Sequence, residues 1–243
     1  MTITAQVPET RLDYDPKDII AARVAEEVAS GMLVNLGIGL PSRVVGFLKD
    51  VEGVFFQAEN GVIGLGARPP EGMEDPFLTD AGGGFVSAVP GAASIDSAMS
   101  FALIRGGHLD MTVLGGLEVD SEGCLANWTV PGKMVPGMGG AMDLVTGARR
   151  VVVAMTHTAK GKPKIKQACS LPLTALQRVD LIVTEMAVIE PSDAGLVLRE
   201  VGPGQSVDSV MNATDAPLLF DDEPPEMELS LPPINAVEQV LTS

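Results

Sequence analysis

Along the first sixty residues the apolar positions change period. Ile20, Val24 and Val28 recur at the interval that gathers side chains on one face of a helix. Asp15-Pro16 stands just before them, an N-cap residue followed by a proline whose fixed φ suits a first helical turn. The pattern predicts a helix from Pro16 that Gly31 stops, then a buried strand over Met32–Leu36. The strand runs into Gly37-Ile38-Gly39-Leu40-Pro41, a tight strand-to-helix turn. A second helix is expected over 41–49 and a second strand over Val54–Ala58. Helix, strand, helix, strand in that order is the grammar of a parallel sheet covered by helices.

The remainder extends the same theme. Ser94–Arg105 reads as a helix with Ser94 as its cap and Gly106-Gly107 as its stop. Strands are expected over Asp110–Leu114 and, as a central one, Val151–Met155, with helix over Leu144–Ala148 between them. Lys160–Lys166 (KGKPKIK) reads as a solvated basic turn. Leu181–Thr184 and Ala187–Glu190 are strands, Asp193-Ala194-Gly195 is a hairpin turn into Leu196–Val201, and Val207–Met211 opens a last helix. The expectation is an α/β fold with an open, largely parallel sheet. It comprises a loose arm over 1–15, one domain over 16–220 and an irregular acidic, Pro-containing tail over 221–243. No internal repeat is visible.

Composition supports a large aliphatic core. The chain has 243 residues, 46% of them hydrophobic but only 4% aromatic. Its 27 glycines point to tight turns and close backbone approach to a ligand. A formal net charge of −16 argues against nucleic acid and anionic membranes as partners. Cys124 and Cys169 make no disulfide framework, and with His108 and His157 they show no metal-ligand spacing. The N-terminus lacks the apolar stretch of a signal peptide, and no apolar run reaches the roughly 20 residues of a membrane span. A reducing cytoplasm fits these features.

Three segments carry candidate chemistry. Glu59 follows Val54, Phe55 and Phe56 at the carboxyl end of a predicted strand, where open α/β sheets bind ligands. Asn60-Gly61, a turn-prone pair, comes next. A carboxylate held there can attack an acyl centre, and it can equally be a strand-end glutamate facing water; spacing does not separate the two. The loop Gly132–Asp143, with Gly137, Gly139 and Gly140, offers backbone N–H groups to a phosphate or an oxyanion, or is simply a structural turn. Gly37-Ile38-Gly39 is half of a dinucleotide fingerprint, with Ser42 where its third glycine belongs, so a nicotinamide dehydrogenase is disfavoured. No G-x-S-x-G elbow is present. His108 reads as a helix-end or core residue, and Trp128, Cys124 and Cys169 as packing residues.

VNLGIGLP (34–41), AENGVIGLG (58–66), AVPGA (88–92), FALIRGGH (101–108), LANW (125–128), PGKMVPGMGGAMDLV (131–145) and SLPLT (170–174) together resemble the β subunit of family I coenzyme A transferases, from about residue 17 to about residue 220. The chain most resembles the acetate/butyrate–acetoacetate type. Succinyl-CoA:3-oxoacid and 3-oxoadipate transferases are more distant, and a non-catalytic sugar-phosphate-binding relative on the isomerase-like scaffold is the remaining alternative.

The resemblance implies ping-pong transfer of CoA between short-chain acyl-CoAs (acetyl, butyryl, acetoacetyl) and free carboxylic acids. Glu59 would be the nucleophile that becomes a glutamyl-CoA thioester, and Gly140 would give an oxyanion-stabilising N–H. Asn35 would contact substrate or intermediate, and Asn60, Gly137 and Gly139 would complete the substrate contacts. No permanent cofactor or metal is implied; CoA is substrate and covalent intermediate. An α subunit is required, typically as α2β2. Two departures matter. Ala58 replaces the family's usual serine. Gly83 stands where succinyl-type relatives carry a lysine able to pair with a second carboxylate, so short monocarboxylates are favoured.

Overall fold

A computed structural model of the chain describes residues 14–132, 137–229 and 231. Most of the expected arm, the far end of the acidic tail and positions 133–136 of the glycine-rich loop lie outside the described residues.

Helix α1 (Pro16–Ala25) begins as the sequence indicates, with the Asp15 carboxylate accepting from the Lys17 N–H and Pro16 in the first turn. It ends earlier than Gly31, which instead turns the chain at φ 80° into β1 (Leu33–Leu36). The second helix is a 3₁₀ helix, Pro41–Phe47. Then come β2 (Phe55–Gln57), β3 (Val62–Leu65) and β4 (Ala88–Ser94), followed by α2 (Ser97–Arg105) and β5 (Met111–Gly115). Two short strands, β6 (Glu118–Asp120) and β7 (Leu125–Ala126), precede α3 (Ala141–Gly147) and β8 (Val151–Ala154). β9 (Thr158–Ala159), β10 (Lys162–Pro163) and β11 (Ile165–Lys166) are two-residue pieces. The chain closes with β12 (Leu181–Val183), β13 (Ala187–Ser192), β14 (Gly195–Val201), α4 (Val207–Ala213) and β15 (Leu218–Leu219).

Ten strands form one sheet in the order β15-β14-β13-β12-β8-β5-β1-β2-β3-β4. The run β12-β8-β5-β1-β2 is parallel throughout. Antiparallel neighbours flank it on both sides: β3 and β4 at one edge, β13 and β14 towards the other. The chain leaves β1 for β2 on one side and later returns to place β5 on the other. The carboxyl end of β1 is therefore a topological switch point, where this class of sheet opens a ligand crevice.

Each face of the sheet has its own core. Alternation along β8 shows this: Val152 and Ala154 pack with α1, Val44 and Phe47, while Val151 and Val153 pack with Ile104, Leu144 and Val210 from α2, α3 and α4. Close approach sets the α2–α3 distance, because a Cβ on Gly147 would lie 2.1 Å from the Ile104 carbonyl oxygen.

Three local expectations change. The cap of α2 is Asp96, whose carboxylate accepts from the Met99 N–H, whereas Ser94 is the last residue of β4. The β3–β4 ladder continues through Ile95, whose N–H donates to the Gly61 carbonyl, and holds Ser94 extended. The KGKPKIK segment is only partly solvated. Lys160 and Gly161, both at positive φ, turn a small hairpin, but Ile165 is fully buried and β11 pairs with β6. The start of the acidic tail is tied down: Met227 is fully buried and its N–H donates to the Val201 carbonyl.

Candidate functional site

The site grows from the switch point. Asn35 sits one residue before the end of β1, in register with Gln57 of β2 on one side and Thr112 of β5 on the other. It is completely buried. The two hydrogens of its side-chain Nδ2 are shared among three acceptors, the Gln57 carbonyl (3.0 Å), Gln57 Oε1 (3.0 Å) and Glu59 Oε2 (3.2 Å). The Thr112 hydroxyl reaches its Oδ1 at 3.4 Å.

Glu59 stands in the reversal that joins β2 to β3. The Gly61 N–H donates to the Ala58 carbonyl (3.0 Å) and the Ala58 N–H to the Val62 carbonyl (2.9 Å). Gly61 has φ 118°, and a Cβ there would lie 2.0 Å from the Ile95 carbonyl oxygen, so the turn that presents Glu59 admits only glycine at that position. Glu59 is half-buried.

Gly140 is the residue that caps α3. A methyl group on it would lie 3.3 Å from Glu59 Cγ and 3.4 Å from the Phe101 ring. The backbone of the glycine-rich loop thus passes directly over the Glu59 side chain, with Phe101 of α2 as the third wall. Gly137 (φ 98°) and Gly139 (φ 55°) are the positive-φ residues that lead the chain into Gly140. Asn35, Glu59 and Gly140 converge on one point. Asn60 turns elsewhere, its side-chain amide donating to the Thr79 carbonyl at 2.7 Å.

The coenzyme A transferase family model matches residues 17–213. The chain belongs to the coenzyme A transferase family. It is 53% identical over 203 residues to the acetate CoA-transferase subunit beta of Escherichia coli, covering 83% of this chain and 93% of that one. It is 48% identical over 201 residues to a succinyl-CoA:3-ketoacid coenzyme A transferase subunit of Helicobacter pylori, covering 82% and 97%. The fold is shared with the decarboxylase AibA/AibB at TM-score 0.70 and 19% identity, over 94% of this chain and 95% of that one.

In this transferase chain the bond from Asn60 ties the Glu59 turn to the loop over 79–85. Asp80 organises that loop: its carboxylate accepts from the Gly82 and Gly84 N–H groups, both at 2.8 Å. Gly83 lies at its apex with φ 81°, and a Cβ there would meet nothing within 4 Å. Gly82 approaches the Ile38 side chain, so the 37–41 turn, the 58–61 turn and the 79–85 loop share one rim. The Gly37-Ile38-Gly39 turn is tied to β5 by the Gly37 N–H on the Val113 carbonyl and leads into the next helix through the Ser42 hydroxyl on the Gly39 carbonyl.

Sequence reasoning missed Gln57, Ser100 and Thr112, three buried polar residues around Asn35. The available signal was a glutamine ending the apolar run of β2. It also missed a buried cluster at the ends of β8 and β12. The His157 ring lies between the Thr184 and Thr214 hydroxyls, 2.9 Å from each. The His157 N–H donates to the Glu185 carboxylate, and the Lys164 N–H to the His157 carbonyl. Burial, aided by Lys164, pushes the His157 imidazole down to about 4. Burial also lowers the Lys164 ammonium to about 8 against the pull of Glu185.

His108 sits exposed after α2, the helix-end position expected. The Trp128 indole donates to the Leu173 carbonyl. Burial first, then Asp120, pushes the Cys169 thiol up to about 12, and burial also raises Cys124. Both thiols are thereby kept protonated, which suits packing rather than nucleophilic work.

Proposed function

We propose that this chain is the β subunit of a transferase that moves CoA between short-chain monocarboxylic acyl-CoAs and free carboxylates, with Glu59 as the covalent nucleophile. The observation that carries the reading is the convergence of Asn35 Nδ2, the Glu59 carboxylate and the Gly140 backbone at the switch point.

The chemistry follows from those three groups. A Glu59 oxygen adds to the thioester carbonyl, the C–S bond of the tetrahedral adduct breaks, and CoA leaves as thiolate, which gives an acyl-glutamyl anhydride. The thiolate then attacks the glutamyl carbonyl and releases the acyl group as carboxylate, leaving a glutamyl-CoA thioester. An acceptor carboxylate reverses both steps. Gly140 supplies an N–H to the tetrahedral oxyanions, and Asn35 holds the carboxylate before attack. Asn60, Gly137 and Gly139 shape the surrounding backbone.

The substrate preference rests on Gly83. Its loop is bonded to the Glu59 turn through Asn60, so a cation at position 83 would be on the acyl side of the site. Glycine supplies none. An α subunit completes the enzyme, typically as α2β2. Large apolar side chains stay exposed on the elements around the site: Phe77 is 94% exposed, Ile38 74%, Met99 56% and Met142 51%. Such a rim calls for a protein partner. Cytoplasmic residence is consistent with two protonated, unbridged cysteines.

The test uses the assembled enzyme. Incubation with acetoacetyl-CoA or butyryl-CoA followed by borohydride should inactivate it, with reduction at Glu59 visible in the peptide mass. Glu59→Ala should lower exchange on the order of 10³-fold or more. Full activity in that variant overturns the nucleophile. Acetate, butyrate, acetoacetate and succinate should then be compared as acceptors; robust succinate activity would favour the succinyl-CoA:3-oxoacid reading.

A further inference from the structure

We infer that Gln57 is a positioning residue: its side-chain amide, anchored by Ser100 and the Ala58 carbonyl, fixes the Asn35 amide so that its N–H faces Glu59. The inference rests on Glu59 being the nucleophile and adds a residue that the transfer chemistry itself does not require.

The argument is one of forced orientation. A side-chain amide can be turned over by half a rotation, exchanging donor for acceptor. Gln57 cannot be turned. Its Nε2 lies 2.9 Å from the Ala58 carbonyl oxygen, which only accepts, and 2.8 Å from the Ser100 hydroxyl. Nε2 is therefore the end that faces Ala58, and Oε1 must face Asn35.

Asn35 then has no choice either. Its Nδ2 lies among the Gln57 carbonyl, Gln57 Oε1 and Glu59 Oε2, all acceptors. Turning it over would set its oxygen against all three. Orientation is thus handed from the Ala58 carbonyl to Gln57, from Gln57 to Asn35, and from Asn35 to Glu59. Gln57 is 1% exposed, and Asn35 and Ser100 are not exposed at all, so water cannot stand in for a lost partner without opening the core.

Ser100 also links the relay to the other half of the site. It lies on α2 beside Phe101, whose ring touches the Gly140 position. One helix therefore fixes both the residue that orients the nucleophile's partner and the wall against the oxyanion loop.

The experiment compares Gln57→Leu, Ser100→Ala and Glu59→Gln in the assembled enzyme, with steady-state exchange and thermal melting measured for each. Gln57→Leu keeps the volume and removes the relay; kcat should fall roughly 10- to 100-fold while KM for acyl-CoA and for acceptor stays within about twofold. Ser100→Ala leaves Oε1 on Asn35 and should lower kcat by less, about two- to tenfold, in the same direction. A kcat within twofold of wild type for Gln57→Leu, or a fall in kcat/KM carried by KM, overturns the inference. If Gln57→Leu fails to assemble, Ser100→Ala decides by the same criterion. Glu59→Gln separates the two levels. If it stays active, the nucleophile assignment fails and the relay with it. If it is dead while Gln57→Leu and Ser100→Ala run at wild-type rates, only the relay fails.

Discussion

The proposed preference for monocarboxylates rests on what Gly83 lacks, and its backbone makes the point testable. With φ 81° and open space around the Cβ position, it accepts a longer side chain at the cost of a left-handed conformation, about 1–2 kcal/mol. Gly83→Lys should raise the rate with succinate relative to butyrate about tenfold and lower stability by about that strain, as read from paired acceptor assays and urea unfolding. No change in the acceptor ratio would remove Gly83 from the specificity argument. At this scale the sequence was informative wherever a residue's chemistry was unusual for its place. Glu59 could be picked out as a candidate from its place after an apolar run, whereas Asn35 and the choice of Gly140 within the glycine loop came only with the family resemblance. Gln57, Ser100 and Thr112 were not legible, because they become a set only through the register that aligns Asn35 with Gln57 and Thr112. Register across parallel strands is a long-range property that no local spacing records.

Elements were legible where period and punctuation agreed. α1, β1, β5, β8 and the β13–β14 hairpin carry clear caps, apolar runs or turn residues and form close to where they are expected. β3 and β4 were not foreseen, since Gly64, Pro90 and Gly91 interrupt them as a turn would. The ladder that holds them also moved the α2 cap from Ser94 to Asp96. That ladder depends on the Glu59 turn, so the turn should be the weakest place to add an atom. Gly61→Ala combines an unfavourable φ with a Cβ 2.0 Å from the Ile95 carbonyl oxygen and should cost about 3 kcal/mol, with loss of exchange. Gly72→Ala is the control: its φ of 82° is comparable but nothing lies within 4 Å, so only the backbone penalty of about 1 kcal/mol should appear. Equal stabilities in denaturant would mean that the β2–β3 turn relaxes away from Ile95.

For the molecule as a whole, a charge of −16 makes acid pH the natural place to look for stability changes, but carboxylates are not the only groups that titrate there. The His157 imidazole, held neutral between Thr184 and Thr214, feels the cationic Lys164, while the Glu185 carboxylate accepts from the His157 backbone N–H. Its folded pKa of about 4 lies below the ordinary 6.5. Between those values the unfolded chain binds the extra proton, so stability falls as pH drops from about 6.5 to about 4 and is fully retained above that window. A shift of this size is worth about 3 kcal/mol across it. Lys164, at about 8, stays protonated over the same range and adds no slope. Glu185, raised by burial, works in the opposite sense, binding protons in the folded state first. A difference measurement isolates the histidine: unfolding free energies of wild type and His157→Gln taken from pH 7.5 to pH 4 retain Glu185 in both. The advantage of wild type over the variant should shrink by about 3 kcal/mol on acidification, and a difference constant with pH would show that the imidazole carries its proton in the folded chain.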